Sequence, residues 1–224
     1  RPYYFRVTSR DAALNAGIDN KQGQLYILRT PTPLSTPWAD DFEEESDLWL
    51  VLDDDSTLGW GSTSSWEWGE PSSAVSDIVP GAYSGRNCFG INLRGEQTEI
   101  AVSALFSPAI YLDPAAASAT LSFMTAYDMI SVDDYIILNA GELSLTTDNG
   151  VTWTTLLTIS EDSTFGDWEE VTIDLTRWLG STVRFQWYYN FMTIWSGQIP
   201  GWYIDDVSVT LEQPEQTALL RITS

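Results

Sequence analysis

The chain has 224 residues, of which 32 are acidic, 10 are basic and none is histidine, so its formal net charge at pH 7 is −22. This surplus of carboxylates repels the phosphate backbone of nucleic acids, and it favours divalent cations or cationic partners. Hydrophobic residues make up 43% of the sequence and include 11 Trp, 10 Tyr and 8 Phe. We therefore expect a folded domain with a sizeable core, not a disordered acidic tail, and no nucleic-acid partner.

A single cysteine, Cys88, excludes an intramolecular disulfide, and without histidine it cannot form a Cys/His nucleophile or a zinc cage. We expect Cys88 to be a small buried residue of a strand. No apolar run approaches the roughly 20 residues that span a bilayer, so membrane insertion is not predicted. The chain opens with Arg1-Pro-Tyr-Tyr4 and not with a signal-peptide pattern, so we expect any export signal to lie upstream.

The first 30 residues differ from the rest of the chain. The segments Tyr3-Tyr-Phe-Arg-Val-Thr-Ser-Arg-Asp-Ala-Ala13 and Gln24-Leu-Tyr-Ile-Leu28 resemble the last two strands of a fibronectin type III domain, in which an aromatic-rich strand precedes an Asp-Ala-Ala turn. A proline-rich run follows and predicts a stiff extended linker over residues 31–39. We therefore predict a domain boundary at this run.

Alternating patterns predict strands in the rest of the chain. Val183, Phe185, Trp187 and Tyr189 alternate with polar or amphipathic residues, which is the period-two pattern of a half-buried strand. The segments Ala119–Tyr127 and Val171–Leu175 repeat this pattern, with Leu121, Phe123 and Tyr127 predicted to share one face. No long amphipathic helix is indicated, and only one short turn is expected over Leu175–Leu179.

A turn signal predicts a hairpin in the middle of this region. Asp148-Asn149-Gly150 separates the strand around Leu143–Leu145 from one predicted to begin at Val151–Trp153. The Asn-Gly pair readily adopts the positive φ angles that a tight hairpin needs.

A series of motifs follows in a fixed order between Asp40 and Leu211. The motifs are Asp40-Asp-Phe-Glu43, Trp66-Glu-Trp-Gly-Glu-Pro71, Ala82-Tyr-Ser-Gly85, Leu105-Phe-Ser-Pro108, Leu121-Ser-Phe123, Thr147-Asp-Asn-Gly-Val-Thr-Trp153, Trp168 and Gly201-Trp-Tyr-Ile-Asp-Asp-Val207. Their order resembles that of the MAM-type jelly rolls found in immune inhibitor A peptidases and gingipain-associated adhesin modules. The resemblance implies an all-β, two-sheet antiparallel jelly-roll sandwich over residues 40–211, with an exit linker or the start of a next domain at 212–224.

The last predicted strand contains an acidic residue among apolar ones. Strict alternation places Asp205 on the same face as Tyr203, Val207, Val209 and Leu211. A carboxylate that faces a core must be paired, protonated or bound to a metal. With only 10 basic residues in the chain, Ca²⁺ is the counter-charge that we expect.

The resemblance implies where such an ion would bind. In jelly rolls of this kind, acidic residues of the first and last strands commonly hold one calcium ion together with a third segment. Transferred to this chain, the ligands are Asp41 and Glu43, then Asp205 or Asp206, with the third segment near Ser84–Asn87 and including Asn87. The alternative is that these carboxylates are solvated or cap turns. The acidic residues in 43–55 could form a second cation site, but we favour a solvated loop.

Four tryptophans, Trp60, Trp66, Trp68 and Trp195, lie in Gly/Ser-rich or loop-like segments, where exposed rings could stack on sugars. Trp66, Trp68 and Trp195 are therefore candidate ligand-binding residues, with Trp195 the best surface candidate. The competing interpretation, which we prefer, places Trp66, Trp68 and Trp202 in the core.

The sequence offers little for catalysis, because the lack of histidine removes the ordinary Ser/His and metallohydrolase arrangements. We expect a non-catalytic, calcium-stabilised adhesion or structural module of a larger bacterial protein that is secreted or exposed on the cell surface. Its expected partners are neighbouring domains of the same polypeptide and a polysaccharide or surface protein. The alternative is a carbohydrate-binding module that tethers a linked hydrolase to a polysaccharide.

Overall fold

The computed structural model describes residues 2–5, 7–10, 16–19, 26–29, 32–53, 64–96, 100–129, 136–193 and 201–214. The chain divides into two compact units, Arg1–Thr32 and Pro33–Ser224. Across the described ranges the secondary structure is β-strand with two short 3₁₀ turns, Ser73–Val75 and Thr176–Trp178, the second of which lies where a short turn was predicted. None of the helical segments in these ranges is long and apolar enough to cross a membrane.

The first unit contains four short strands, β1 (Pro2–Phe5), β2 (Val7–Arg10), β3 (Ala16–Asp19) and β4 (Tyr26–Arg29). Strand β1 pairs antiparallel with β4, and β2 pairs antiparallel with β3. The likeness of this segment to the end of a fibronectin type III domain stays a prediction.

The second unit has thirteen described strands in two sheets. One sheet has the order β14-β13-β16-β10-β7, with β11 joining β16 and β5. The other has the order β15-β12-β17-β9-β8, with β6 joining β17. The strands are β5 (Leu34–Ser35), β6 (Trp38–Asp40), β7 (Leu50–Asp53), β8 (Trp66–Gly69), β9 (Cys88–Ile91), β10 (Ile100–Phe106), β11 (Ile110–Tyr111), β12 (Ser118–Asp128), β13 (Ile136–Thr146), β14 (Thr154–Ser160), β15 (Glu169–Asp174), β16 (Thr182–Thr193) and β17 (Gly201–Glu212).

Almost all of these pairings are antiparallel, and β5–β11 is the parallel exception within the described ranges. The prediction of an all-β, two-sheet antiparallel sandwich is confirmed.

The core lies between the two sheets and follows the predicted alternation. Phe185 and Trp187 of β16 are fully buried, and the Trp187 ring lies 5.5 Å from the ring of Phe123 on the opposite sheet at an angle of 88°. Leu121 and Tyr127 belong to the same hydrophobic cluster. Burying each large side chain of this kind stabilises the fold by about 1.5–3 kcal/mol.

The predicted hairpin joins β13 to β14. Asn149 and Gly150 have φ angles of 59° and 88°, in the left-handed region that the Asn-Gly pair was expected to adopt. Asp148 accepts hydrogen bonds from the N–H and the hydroxyl of Thr152 at 2.9 and 2.7 Å. These bonds keep residues 151–153 in the turn, so β14 begins at Thr154 and not at Val151 as predicted.

Part of the predicted linker belongs to the sandwich. Within residues 31–39, β5 pairs with β11, and β6 pairs with β17 so that Trp38 lies opposite Val209. Proline favours extended backbone in a linker and at a sheet edge alike, so composition alone did not separate these two cases. The other predicted domain limits stay predictions.

Candidate cation site

The alternation of core-facing and outward-facing residues in strand β17 shifts by one position at Asp206. Before this residue, Trp202 and Ile204 point into the inter-sheet core, and after it Val207 and Val209 do so. Asp206 has a left-handed φ of 47°, and the register with β12 shifts at this point, which defines a β-bulge.

The bulge corrects the predicted face of Asp205. One extra residue in a strand moves every later side chain to the other face. Asp205 therefore lies on the same side as Tyr203, which packs in a second hydrophobic cluster, and not on the side of Val207, Val209 and Leu211.

Strand β17 also changes its pairing partner on one side at Asp205 and Asp206. Tyr203 and Ile204 pair with β9, whereas residues 207–209 pair with β6. Residues 41–43 directly follow β6, and residues 83–87 directly precede β9. The topology therefore brings three segments together around Asp205 and Asp206. We call residues 83–87 the bridging loop.

The carboxylate of Asp205 is fully buried and held by backbone N–H groups. Its Oδ2 accepts hydrogen bonds from the N–H of Tyr83 at 2.9 Å and of Ser84 at 3.2 Å, and its Oδ1 accepts one from Asp206 at 2.8 Å. Burial raises the pKa of Asp205 to about 7, although the three N–H donors act in the opposite direction. This group thus remains costly to ionise.

Glu43 holds the other end of the bridging loop. Its Oε1 accepts hydrogen bonds from the N–H groups of Asn87 and Arg86, both at 2.8 Å. These two bonds lower the pKa of Glu43, with the bond from Asn87 having the larger effect. Gly85, with a φ of 57°, lies between the two anchor points.

Further contacts tie the predicted ligands to the loop. The hydroxyl of Ser84 donates to Asp206 Oδ1 at 2.8 Å, and the side-chain amide of Asn87 donates to the carbonyl of Glu43 at 3.5 Å. Glu43, Asn87, Asp205 and Asp206 therefore all contact this loop or its ends. Asp41 is exposed, and its Oδ1 accepts the N–H of Glu43 at 3.2 Å.

The donor set fits calcium in its chemistry. Carboxylate, hydroxyl and amide oxygens are the ligands of a hard cation. The nearby Arg86 is mostly exposed and pairs with Glu70 at 2.8 Å. In the part of the chain that the structure describes, however, no three Cys, Asp or Glu side chains lie close enough together to hold a metal. As they stand, the carboxylates are held by hydrogen bonds from the loop backbone.

The structure places Trp66 in the core, as in the competing interpretation. Trp66 is only 3% exposed, and its ring lies 5.4 Å from that of Trp202. Trp68 is half-buried, packs against the core and donates its indole N–H to the carbonyl of Phe42 at 2.7 Å. Its role in ligand binding stays a prediction. Trp60 and Trp195 lie outside the described residues.

Sequence reasoning missed the donors that hold the two acidic anchors. The backbone N–H groups of residues 83–87 perform this role, and backbone groups have no sequence signature. The resemblance implied a third segment near Ser84–Asn87, but it did not indicate that the backbone N–H groups of this segment would hold the carboxylates.

No protein-family model matches the sequence, and a search of curated proteins found no match. Among solved structures, the K1 cleaved adhesin domain of Lys-gingipain from Porphyromonas gingivalis W83 is 16% identical with a TM-score of 0.50, over 78% of this chain and 98% of that domain. The Stig cyclase Fisc from Fischerella sp. is 17% identical with a TM-score of 0.45, over 78% of this chain and 95% of that one. The CBM22-1 xylan-binding domain of Paenibacillus barcinonensis Xyn10C is 10% identical with a TM-score of 0.43, over 83% of this chain and 100% of that one. The likeness to the adhesin domain supports a jelly-roll-like β-sandwich, and a fold by itself assigns no function.

Proposed function

We propose that this chain is a non-catalytic adhesion or structural module of a larger multidomain extracellular protein. The observation that carries the proposal is the antiparallel pairing of β6, the second strand of the sandwich, with β17, its last described strand. Trp38 lies opposite Val209, so the two ends of the module are adjacent in one sheet. A domain with adjacent ends can be placed between other domains without disturbing its core.

The family and the location are further parts of this proposal. The order of motifs supports a MAM-type module, and the sandwich has a fold like that of the Lys-gingipain adhesin domain. A secreted or cell-surface location accords with the net charge of −22 and with the lack of a nucleic-acid-binding composition. Its partners would then be neighbouring domains of the same polypeptide and a surface ligand.

Calcium stabilisation is the third part of the proposal. As no three acidic side chains in the described ranges lie close enough together to hold a metal, Glu43, Asp205 and Asp206 would have to move towards one another to hold the ion with oxygen atoms of the bridging loop, including the side chain of Asn87. Calcium would supply a positive charge beside Asp205, the carboxylate that burial makes costly to ionise. It would also join the segment after β6 to the last strand.

The alternative is a carbohydrate-binding module that tethers a hydrolase, and it depended on tryptophan rings exposed for stacking on sugars. Trp66 is packed in the core, which leaves Trp68 and Trp195 as the candidates from the sequence. The choice between the two functions then depends on whether the chain binds a structural polymer.

A polymer-depletion assay with the full chain tests this proposal. We expect incubation with insoluble cellulose, chitin or a xylan without uronic-acid side groups to leave the protein in the supernatant and to release no reducing sugar. Release of reducing sugar above that of a heat-denatured sample would overturn the non-catalytic assignment. Retention on one of these neutral polymers would favour the tethering module over the adhesion module.

A further inference from the structure

A groove of about 260 Å³ lies on the outer face of the seven-stranded sheet, away from the core. It is remote in sequence from the bridging loop and uses none of the candidate cation ligands. Its walls combine apolar and polar side chains, principally Leu50, Leu52, Phe106, Trp153, Arg184 and Gln186.

The sheet register explains why these side chains meet. Leu50 of β7 lies opposite Phe106 of β10, which in turn lies opposite Gln186 of β16, so the three form one row across the sheet. Arg184 lies two residues from Gln186, on the same face. These side chains form the floor of the groove.

The β13–β14 turn forms the remaining wall. The Trp153 ring lies 5.9 Å from the ring of Phe106, and the two are tilted by 52°. The hydrogen bonds between Asp148 and Thr152 fix the turn just before Trp153. The aromatic wall is therefore held in place before any ligand arrives, which reduces the entropy cost of binding.

The apolar part of the groove is open to solvent. Leu50 is 48% exposed and Leu52 is 52% exposed, beside the half-buried rings of Phe106 and Trp153. Exposed apolar surface next to aromatic rings suits the C–H face of a sugar. The volume is below the roughly 300–1,000 Å³ of pockets for drug-sized ligands, so one sugar ring is a suitable occupant.

Arg184 gives the groove its chemical character. Its Nε is buried and has no hydrogen-bond partner, and its guanidinium makes no ion pair with any acidic residue in the described ranges. This is notable in a chain with 32 acidic residues. A guanidinium binds a carboxylate through two parallel hydrogen bonds, and the amide of Gln186 can both donate to and accept from sugar hydroxyls.

We propose that this groove binds an acidic sugar at the end of an oligosaccharide, with the ring against Trp153 and Phe106 and its carboxylate on Arg184. A single terminal charge is favoured over a polyuronate, because the net charge of −22 repels a polyanion. The inference rests on the proposed adhesion function and adds a ligand class to it.

Paired sugars test the proposal on the full chain. Sialyllactose is compared with lactose, and glucuronic acid with glucose, by saturation-transfer NMR and isothermal titration calorimetry. We expect at least one acidic sugar to bind at least tenfold more tightly than its neutral partner. Binding of sialyllactose alone, of glucuronic acid alone or of both supports the proposal and identifies which acidic sugars supply the carboxylate.

Variants locate the site. Trp153→Ala and Arg184→Gln should each weaken binding at least tenfold, and Arg184→Lys should weaken it less than Arg184→Gln. The matched controls are Phe165→Ala, a 79% exposed ring outside the groove, and Arg177→Gln, an exposed arginine over Trp178, and both should bind like the wild type. The lysine variant keeps the test available should the glutamine variant fail to fold.

Three results would overturn the proposal: no binding of either acidic sugar, equal binding of acidic and neutral sugars, or equally tight binding of the dipeptide Ala-Leu. The last would assign the groove to peptide carboxylates. These results leave the polymer-depletion assay unaffected, so a failure here is distinguishable from a failure of the proposed function.

Discussion

Glu43 and Gly85 are in direct contact, with the carboxyl group of the first lying against the α-carbon of the second. A β-carbon added to Gly85 would stand 2.2 Å from Glu43 Cδ, well inside van der Waals distance. Glycine is favoured at this position by the φ of 57°, and a β-carbon there would also displace the flexible end of Glu43 from the N–H groups of Arg86 and Asn87.

Gly85→Ala is therefore expected to lower the free energy of unfolding by more than the cost of placing alanine in a left-handed backbone conformation. Gly180→Ala is the matched control, because Gly180 also has a positive φ, 84°, but a β-carbon there would meet Pro114 Cβ at an ordinary 3.5 Å. The backbone strain, which both variants share, costs roughly 1–2 kcal/mol. Urea denaturation measures the difference. Equal losses in the two variants would contradict the close contact with Glu43.

The buried carboxylate of Asp205 is expected to make the metal-free protein less stable as the pH rises from 4 to 8. Its pKa is raised from 3.8 to about 7, so the folded state keeps the proton to higher pH than the unfolded state does. The associated stability is fully present below about pH 4 and is lost as the pH passes 7. A shift of this size corresponds to on the order of 4 kcal/mol.

Asp205→Asn removes this titration, so the comparison is between pH slopes and not between absolute stabilities. In EDTA, the free energy of unfolding of the wild type should fall more steeply between pH 4 and 8 than that of the variant. The repulsion among the other acidic residues is common to both proteins. Parallel slopes would show that Asp205 titrates normally.

Trp66→Ala is expected to destabilise the fold by about 3–5 kcal/mol, because the Trp66 ring is 3% exposed and packs on Trp202. Phe165→Ala, at a position that is 79% exposed, should change the stability by less than about 0.5 kcal/mol. Chemical denaturation of the two variants beside the wild type gives both values. A near-neutral Trp66→Ala would return this ring to the list of surface candidates.

Thr152→Val is expected to raise the pKa of Asp148 from about 2 towards its ordinary value of 3.8, because the Thr152 hydroxyl makes the largest contribution to that lowering. Valine keeps the shape of the side chain and removes only the hydroxyl donor, while the backbone N–H of residue 152 remains. Carboxyl-detected NMR titration follows Asp148 directly. An unchanged pKa would mean that the hydroxyl does not hold the turn beside Trp153.

Alternation predicted the strands that cross the core, because β16 and β12 keep a period of two and most of their core positions are filled by large apolar residues, with Ala119 and Thr125 of β12 as exceptions. The turn at Asn149-Gly150 was also predictable, since few other residue pairs accept two positive φ angles. These are local properties, and local properties are what a single sequence displays.

The candidate site was predictable only in part. The resemblance to a family predicted that Glu43 and Asp205 would both lie near residues 84–87, and each of them accepts hydrogen bonds from this segment. The bulge at Asp206 was not predictable, because an Asp-Asp pair has no turn signature and the apolar alternation of the sequence runs through it without a break. The loop that joins the two acids does so with backbone N–H groups, which every sequence contains. The strands at residues 34–40 were missed because their partners are more than 70 residues away in the chain.

The most direct test of the central claim is calorimetric. The protein is stripped with EDTA, its metal content is checked, and its unfolding temperature is measured with and without added Ca²⁺. Because the ion would bind only the folded state, calcium at 100 times Kd should add about 2.7 kcal/mol and raise the unfolding temperature, whereas Asp205→Asn and Glu43→Gln should respond weakly. The same unfolding temperature for the wild type with and without calcium would contradict a cation shared by these two segments.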